Sequence, residues 1–250
     1  MDAPAQISGN GAHAPAIRRI IDRAIEAGQG ALDEHSGKLV LSELGIAVPK
    51  SVRIGPYDGA HGRIAALRPP FVLKALSSEA VHKSDLGAVR LGLANAAEVD
   101  AACAEIRARM AQAGKALTGF LVEEMVEPGT EIVIGGVIDP QLGPMIMLGA
   151  GGVFAEILKD VAFRLCPIEA RDACEMIEGL RMAPILKGAR GKAGADLGRI
   201  RDALLALGGE DGFFTAHADR VEEFDLNPLI ARHDGLVAVD CRVVLRGVGK

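Results

Sequence analysis

The chain has 250 residues, 49% of them hydrophobic and 24% charged, a balance that excludes a largely disordered protein and supplies apolar material for one large or two small cores. Its net charge of −5 and sequence pI of about 5.7 give no general attraction to polyanions, and one Tyr with no Trp leaves few rings on which bases could stack, so nucleic-acid binding is not expected. The four cysteines, Cys103, Cys166, Cys174 and Cys241, form no CxxC pair, and reduced thiols in a cytoplasmic protein are the expectation.

In chain order, residues 1–16, "MDAPAQISGNGAHAPA", lack the basic start and apolar run of an export signal and read as a flexible tail. Ile17, Ile20, Ile21, Ala24 and Ile25 then recur at helical spacing with charges opposite, which predicts an amphipathic helix. A second helix is expected from about Leu32, with acids in its first turn, Gly45 placed to end it and Pro49 blocking its continuation. "KSVRI" reads as a strand and residues 57–67 as a short helix, which Pro69 and Pro70 separate from the strand "FVLKAL". A loop over 77–88 leads to the strand "AVRLGL", an alanine-rich helix over 96–113 and the strand "GFLVEEMV", which stops at Pro128 and Gly129.

"EIVIGGVI" and "PMIMLGA" flank Asp139, Pro140, Gln141, Leu142 and Gly143 and read as an antiparallel pair. The same breakers interrupt the longest apolar stretch, 132–158, short of a membrane-spanning length, so no membrane role is expected. "GGVFAEILKDVAFRLCP" continues as glycine-led strand material. Helices over 169–179 and 196–207 precede the strands "RVEEFDLNPLIA" and "GLVAVDCRVVL", joined by a turn at His233, Asp234 and Gly235. The class is α+β: an N-terminal lobe over 17–121 with a flap loop at 77–88, and a C-terminal lobe over 122–247 with a hinge and a metal site.

Several groups along this frame carry chemistry. Lys74 ends an apolar strand, where an ammonium calls for an anionic partner, either a phosphate or a nearby acid. The loop that follows holds Ser77, His82, Lys83, Asp85 and Gly87; its hydroxyls, cation and glycine suit a flap over phosphates, and a solvated hairpin tip is the plainer alternative. In "LVEEMVEPGTE", Glu123 and Glu131 flank a Pro-Gly turn that can bring both acids to one crevice. There a strand-edge backbone would read adenine and a carboxylate would take ribose hydroxyls, although acids on exposed strand edges are commonplace. Asp225 and Asn227 share one strand face at period two, and Asp240 falls on the next strand after a turn. Facing oxygen donors of this kind make a good Mg²⁺ site.

Taken in order, Lys74, "SSEAVHKSDLGAV", "VEEM", Glu131, "GAGGVFAEILKD", "EFDLNPL" and "VAVD" resemble the ATP-grasp domain of ADP-forming acyl-CoA synthetases, and more distantly the β subunit of succinyl-CoA synthetase. The resemblance runs from Leu32 to Leu245. It implies an ATP-grasp fold of two α+β lobes with ATP or ADP between them. Lys74, Ser77 and Gly87 would meet the phosphates, Glu123, Glu124 and Val126 the adenine, chiefly through backbone groups, and Glu131 the ribose. Lys159, Asp160 and Arg164 would lie near the phosphates, and Asp225, Asn227 and Asp240 would hold Mg²⁺. It further implies that His82 carries phosphate as a phosphohistidine, with Lys83 neutralising charge and Asp85 orienting the ring. Two departures stand out: the flap reads "LGAV" where many relatives have "GGV", and no CoA-binding Rossmann domain or ligase domain is recognised. A separate CoA-binding α subunit, in an α2β2 assembly, is therefore expected. The alternative of a non-catalytic nucleotide-sensing module, as found fused to protein acetyltransferases, predicts decay of the metal set, which this chain retains.

Overall fold

The computed structural model describes residues 14–77, 87–152, 160–188 and 193–247. It begins with α1 (Ala14–Glu26), a two-residue strand β1 (Ala31–Leu32) and α2 (Glu34–Glu43). Asp33 caps α2 by accepting from the Ser36 amide at 2.8 Å, and Gly45, at φ +74°, turns the chain out of it as the sequence predicts.

Next come β2 (Ser51–Ile54), β3 (Phe71–Leu76), β4 (Val89–Leu93), α3 (Ala96–Gln112) and β5 (Gly119–Glu124). These form an antiparallel sheet in the order β2-β5-β3-β4. Alternation along the strands sends Phe71, Leu73, Ala75, Phe120 and Val122 to one face, where they pack with Val99, Cys103, Ile106 and Met110 of α3. Val72, Lys74, Leu121 and Glu123 point the other way. The helix expected over 57–67 is not formed: the segment is a run of turns, with Gly62 at φ +78° and the Ala60 amide held by Asp100 at 2.7 Å. Two glycines in so short a stretch, Gly59 and Gly62, remove the helical bias that its alanines give.

The chain continues through β6 (Thr130–Asp139), β7 (Gly143–Ala150), β8 (Val161–Leu165), α4 (Ala170–Gly179), α5 (Ala183–Leu186), α6 (Leu197–Gly208), α7 (Phe213–Ala216), β9 (Val221–Arg232), β10 (Gly235–Ala238) and β11 (Arg242–Leu245). Among the described residues the strands make a seven-stranded sheet in the order β1-β11-β9-β6-β7-β8, with β10 paired to β9. One face is covered: Ile134, Ile146, Leu148, Phe224 and Leu226 pack against Ile17 and Ile21 of α1, Val40 and Leu41 of α2, Met176 of α4, Leu204 of α6 and Phe214 of α7. The other face carries, across the strands, Phe163, Met147, Gly135, Asp225 and Arg242 in register. No helix of the described residues is long and apolar enough to cross a membrane.

The chain divides into two units, one comprising residues up to 48 and from 128 onward, the other 49–127. The expected lobes 17–121 and 122–247 are corrected accordingly. The first two helices belong with the C-terminal half, because β1 adds to β11 (Ala31 opposite Val244, Leu32 opposite Val243) and the apolar sides of α1 and α2 enter its core.

Candidate functional site

In the smaller unit the structure brings Lys74 and Glu123 together. Lys74 on β3 lies opposite Leu121, and Glu123 on β5 lies opposite Val72. The two are thus diagonal neighbours on the face away from α3. Their Nζ and Oε2 atoms are 3.1 Å apart, with the side chains 5% and 1% exposed. A lysine this deep needs such a partner, since breaking a buried pair leaves an uncompensated charge. The pairing holds the ammonium within β3, which runs on for two residues past Lys74 rather than ending at it as expected. It also gives the Glu123 carboxylate a task besides the hinge role expected of it, one that the β3–β5 register decides.

Beyond β5 the backbone is partly engaged. The Glu124 amide donates to Lys50 O at 2.9 Å and the Met125 amide to Pro70 O at 3.0 Å. The Glu124 carboxylate accepts from the Arg68 amide at 3.0 Å. Those two amides are therefore already engaged, and Val126, which follows them, is half-buried. Ser77 follows β3, and His82, Lys83 and Asp85 lie outside the described residues. Gly87 has φ +58°, a left-handed conformation that favours glycine, and faces the Arg109 guanidinium. Its carbonyl accepts from Arg90 at 3.1 Å, and Arg90 also binds Glu105 at 3.1 Å, which fixes the C-terminal base of the flap loop.

In the larger unit, Glu131, Asp225 and Asn227 are brought to the open face of the sheet. Glu131, at the start of β6, meets a close backbone approach: the Gly151 amide donates to its carbonyl at 2.9 Å, and its carboxylate lies where a side chain at Gly152 would have to go. Asp225 is half-buried and Asn227 exposed. The β6–β9 register slips between Ile132 and Ile134, so Asn227 and Pro228, joined by a cis peptide, form a bulge after Asp225. Asp240 does not sit inside a strand as expected. It lies in the link between β10 and β11, half-buried, its Oδ1 accepting from the Cys241 amide at 2.8 Å. The β10–β9 ladder ends there: the Val239 amide still donates in register to Pro228 O at 3.0 Å, beside Asn227, but Pro228 has no N–H to return the bond.

The Asp225 carboxyl is pushed above the usual aspartate range, first by burial and then by the negative charges of Glu223 and Asp240, with Arg242 acting against them. Oxygen donors held together in mutual repulsion are what a hard divalent cation relieves, so two carboxylates and one amide fit Mg²⁺ in type and charge. Among the described residues no group of three or more His, Cys, Asp or Glu could hold a metal ion, and this set depends on the amide of Asn227.

Two residues expected near phosphates have partners within the protein, and Lys159 lies outside the described residues. Asp160 is buried, and its two oxygens accept from the Arg181 and Met182 amides, each at 2.8 Å, which ties the chain before β8 to the turn that precedes α5. Arg164 lies opposite Ile146, on the helix-covered side of the sheet, and pairs with Glu175 of α4 at 3.3 Å. Asp225 faces the other way, and the alternation of β8, with Val161, Phe163 and Leu165 on the open face, dictates this. A cavity of about 360 Å³ lined by Ile46, Ala47, Ala203, Leu236 and Val237 includes none of the predicted residues.

Residues 23–245 match the family model of an ATP-grasp domain. The chain is 36% identical over 233 residues to the β subunit of ADP-forming acetate–CoA ligase II of Pyrococcus furiosus, across 92% of this chain and 98% of that one. Among solved structures it is similar to dinucleotide-forming acetyl-coenzyme A synthetase 1 of Candidatus Korarchaeum cryptofilum in complex with coenzyme A, Ca-AMPCP and HgCl⁺. The TM-score is 0.84 and the identity 36%, covering 92% of this chain and 99% of that one. A second structure of that protein, with coenzyme A and Mg-AMPPCP, gives a TM-score of 0.78 at 36% identity, covering 92% and 100%.

Proposed function

Because the chain belongs to the ATP-grasp family, among the β subunits of ADP-forming acyl-CoA synthetases, we propose that it is the nucleotide-binding subunit of an acid–thiol ligase. The reaction is acid + CoA + ATP to acyl-CoA + ADP + phosphate, carried out with a separate CoA-binding α subunit in an α2β2 assembly. The observation that carries this reading is two-way coverage: the match spans 92% of this chain and 98% of a ligase β subunit. The regulatory alternative draws no comparable support, and the retained cation donors favour the enzyme.

Lys74, held on β3 by Glu123, offers its charge to the phosphates of ATP or ADP. Backbone groups about Glu124 and Val126 read the adenine edge, and Glu131 accepts from the ribose hydroxyls. Ser77 and the loop hinged at Gly87 fold over the phosphates. Asp225, Asn227 and Asp240 would hold Mg²⁺, with Lys159 beside the phosphates. Bound there, Mg²⁺ would neutralise phosphate charge and fix the phosphate oxygens. A nitrogen of His82 attacks the γ-phosphorus of ATP; the N–P bond forms, and the P–O bond to ADP breaks with its electron pair leaving on ADP. The phosphoryl group then passes to a histidine of the α subunit as the bond to His82 breaks. Lys83 neutralises charge and Asp85 orients the ring or loop.

His82→Asn and His82→Ala test the relay in the complex reconstituted with its α subunit. Both variants are expected to bind MgADP with wild-type affinity and to lose acyl-CoA synthesis. Near-normal turnover by the asparagine variant would show that His82 only positions other groups.

A further inference from the structure

Glu34, Gly37 and Lys38 occupy one side of α2, spaced three and four residues apart. Glu34 and Lys38 are an ion pair at 2.9 Å, with side chains 0% and 3% exposed, so this turn of the helix is fixed in the core. Gly37 lies directly on Cys241: a Cβ at position 37 would stand 2.9 Å from Cys241 Sγ and 3.7 Å from its carbonyl oxygen. Glycine thus lets the helix backbone seat against the thiol, and Cys241 is 5% exposed.

Asp240 immediately precedes this contact, in a link outside the strand ladder. With no ladder of its own, the link is placed by its flanks. On one side Ala238 donates to Ala47 O at 2.8 Å and Val239 to Pro228 O at 3.0 Å. On the other, Cys241 is wedged under α2, its amide bonded to the Asp240 carboxylate at 2.8 Å, and β11 resumes at Arg242, opposite Asp225.

We infer that Gly37 and Cys241 are positioning residues for the cation site: the missing side chain at 37 sets the depth of Cys241, and Cys241 sets the Asp240 carboxylate relative to Asp225 and Asn227. The inference rests on the assignment of those three residues as cation donors. Neither Gly37 nor Cys241 touches cation or nucleotide; they act through Asp240, as outer contacts orient metal ligands elsewhere.

The test uses the full chain with ADP and Mn²⁺ as the probe, following the signal of free Mn²⁺ by electron paramagnetic resonance, with ADP affinity without divalent ions and thermal melting measured alongside. Gly37→Ala is expected to weaken Mn²⁺ binding about tenfold, the scale of lost outer-contact support, with metal-free ADP affinity unchanged. Cys241→Ala in the same chain, which vacates the space, is expected to restore Mn²⁺ binding. Cys241→Val, enlarging the contact from the other side, is expected to weaken it and serves if Gly37→Ala does not fold. Wild-type Mn²⁺ affinity in the soluble enlarging variants, or rescue of melting without rescue of Mn²⁺ binding, would overturn the inference. Asp240→Asn separates the two levels: if it weakens Mn²⁺ binding while Gly37→Ala does not, only the positioning role fails. If Asp240→Asn leaves Mn²⁺ binding intact, the cation site itself is misassigned and the inference falls with it.

Discussion

His217 is 3% exposed, its Nδ1 2.9 Å from Phe213 O and its ring 5.5 Å from that of Phe213. Burial, partly opposed by the bond to Phe213, holds its pKa below the ordinary 6.5. An unfolded chain takes up the proton first, so the stability tied to this neutral imidazole is present above about 6.5 and is lost as pH falls through the lowered folded value. Melting temperatures between pH 8 and pH 5 are therefore expected to fall less steeply in His217→Gln, which keeps a donor for the carbonyl and does not titrate. An unchanged slope would show that other groups govern acid unfolding. At the same scale, Lys74 was legible in the sequence as a lysine needing an anion, and both expected partners, phosphate and acid, stood open. The acid is Glu123 in the structure, and which acid it is depends on strand register, which composition does not carry. Arg164 shows the converse: its position in the chain suggested phosphates, and its parity on β8 places it under α4.

β6 shows how much of an element's meaning lies outside it. "EIVIGGVI" read correctly as a strand paired with "PMIMLGA", because the turn residues between them and the apolar run are local signals. The two adjacent glycines read alike yet face opposite ways. On the open side, a Cβ at Gly135 would meet Phe224 O at 3.4 Å and Asp225 Oδ1 at 3.7 Å, which is ordinary contact. On the covered side, one at Gly136 would enter the ring of Phe224, which is itself packed edge-on against Phe213 and Phe214 at 6.0 and 5.0 Å. Gly136→Ala is expected to lower unfolding free energy in urea by about 1–3 kcal/mol, the usual cost of overpacking. Gly135→Ala should stay within about 1 kcal/mol of wild type, since alanine is the better strand residue where it fits. Equal losses in the two variants would contradict the register. The strand that carries the proposed cation donors was legible in the same partial way. Asp225 and Asn227 share a strand that period two picks out, whereas Asp240 falls past the end of the β10 ladder, where Val239 meets Pro228, which has no N–H to return its bond, and that register is not a local signal.

At the scale of the whole molecule, the order of motifs along the chain revealed the family and the α+β class, and the division into units was the part it hid. A two-residue strand, Ala31–Leu32, is too short to carry a periodic signal, yet it joins the N-terminal helices to the last strand of the large sheet. One unit is consequently built from both ends of the chain and the other from the stretch between them, which is what brings Gly37 of α2 against Cys241. The central claim is that this chain binds nucleotide through a divalent cation held by Asp225, Asn227 and Asp240. It is tested most directly by calorimetric titration of ADP into the purified chain, with and without Mg²⁺. Saturable binding that tightens on the order of tenfold or more with Mg²⁺ is expected, since the acidic donors and the phosphates repel one another until a cation joins them. ADP affinity that is the same in both titrations, or absent from both, would contradict it.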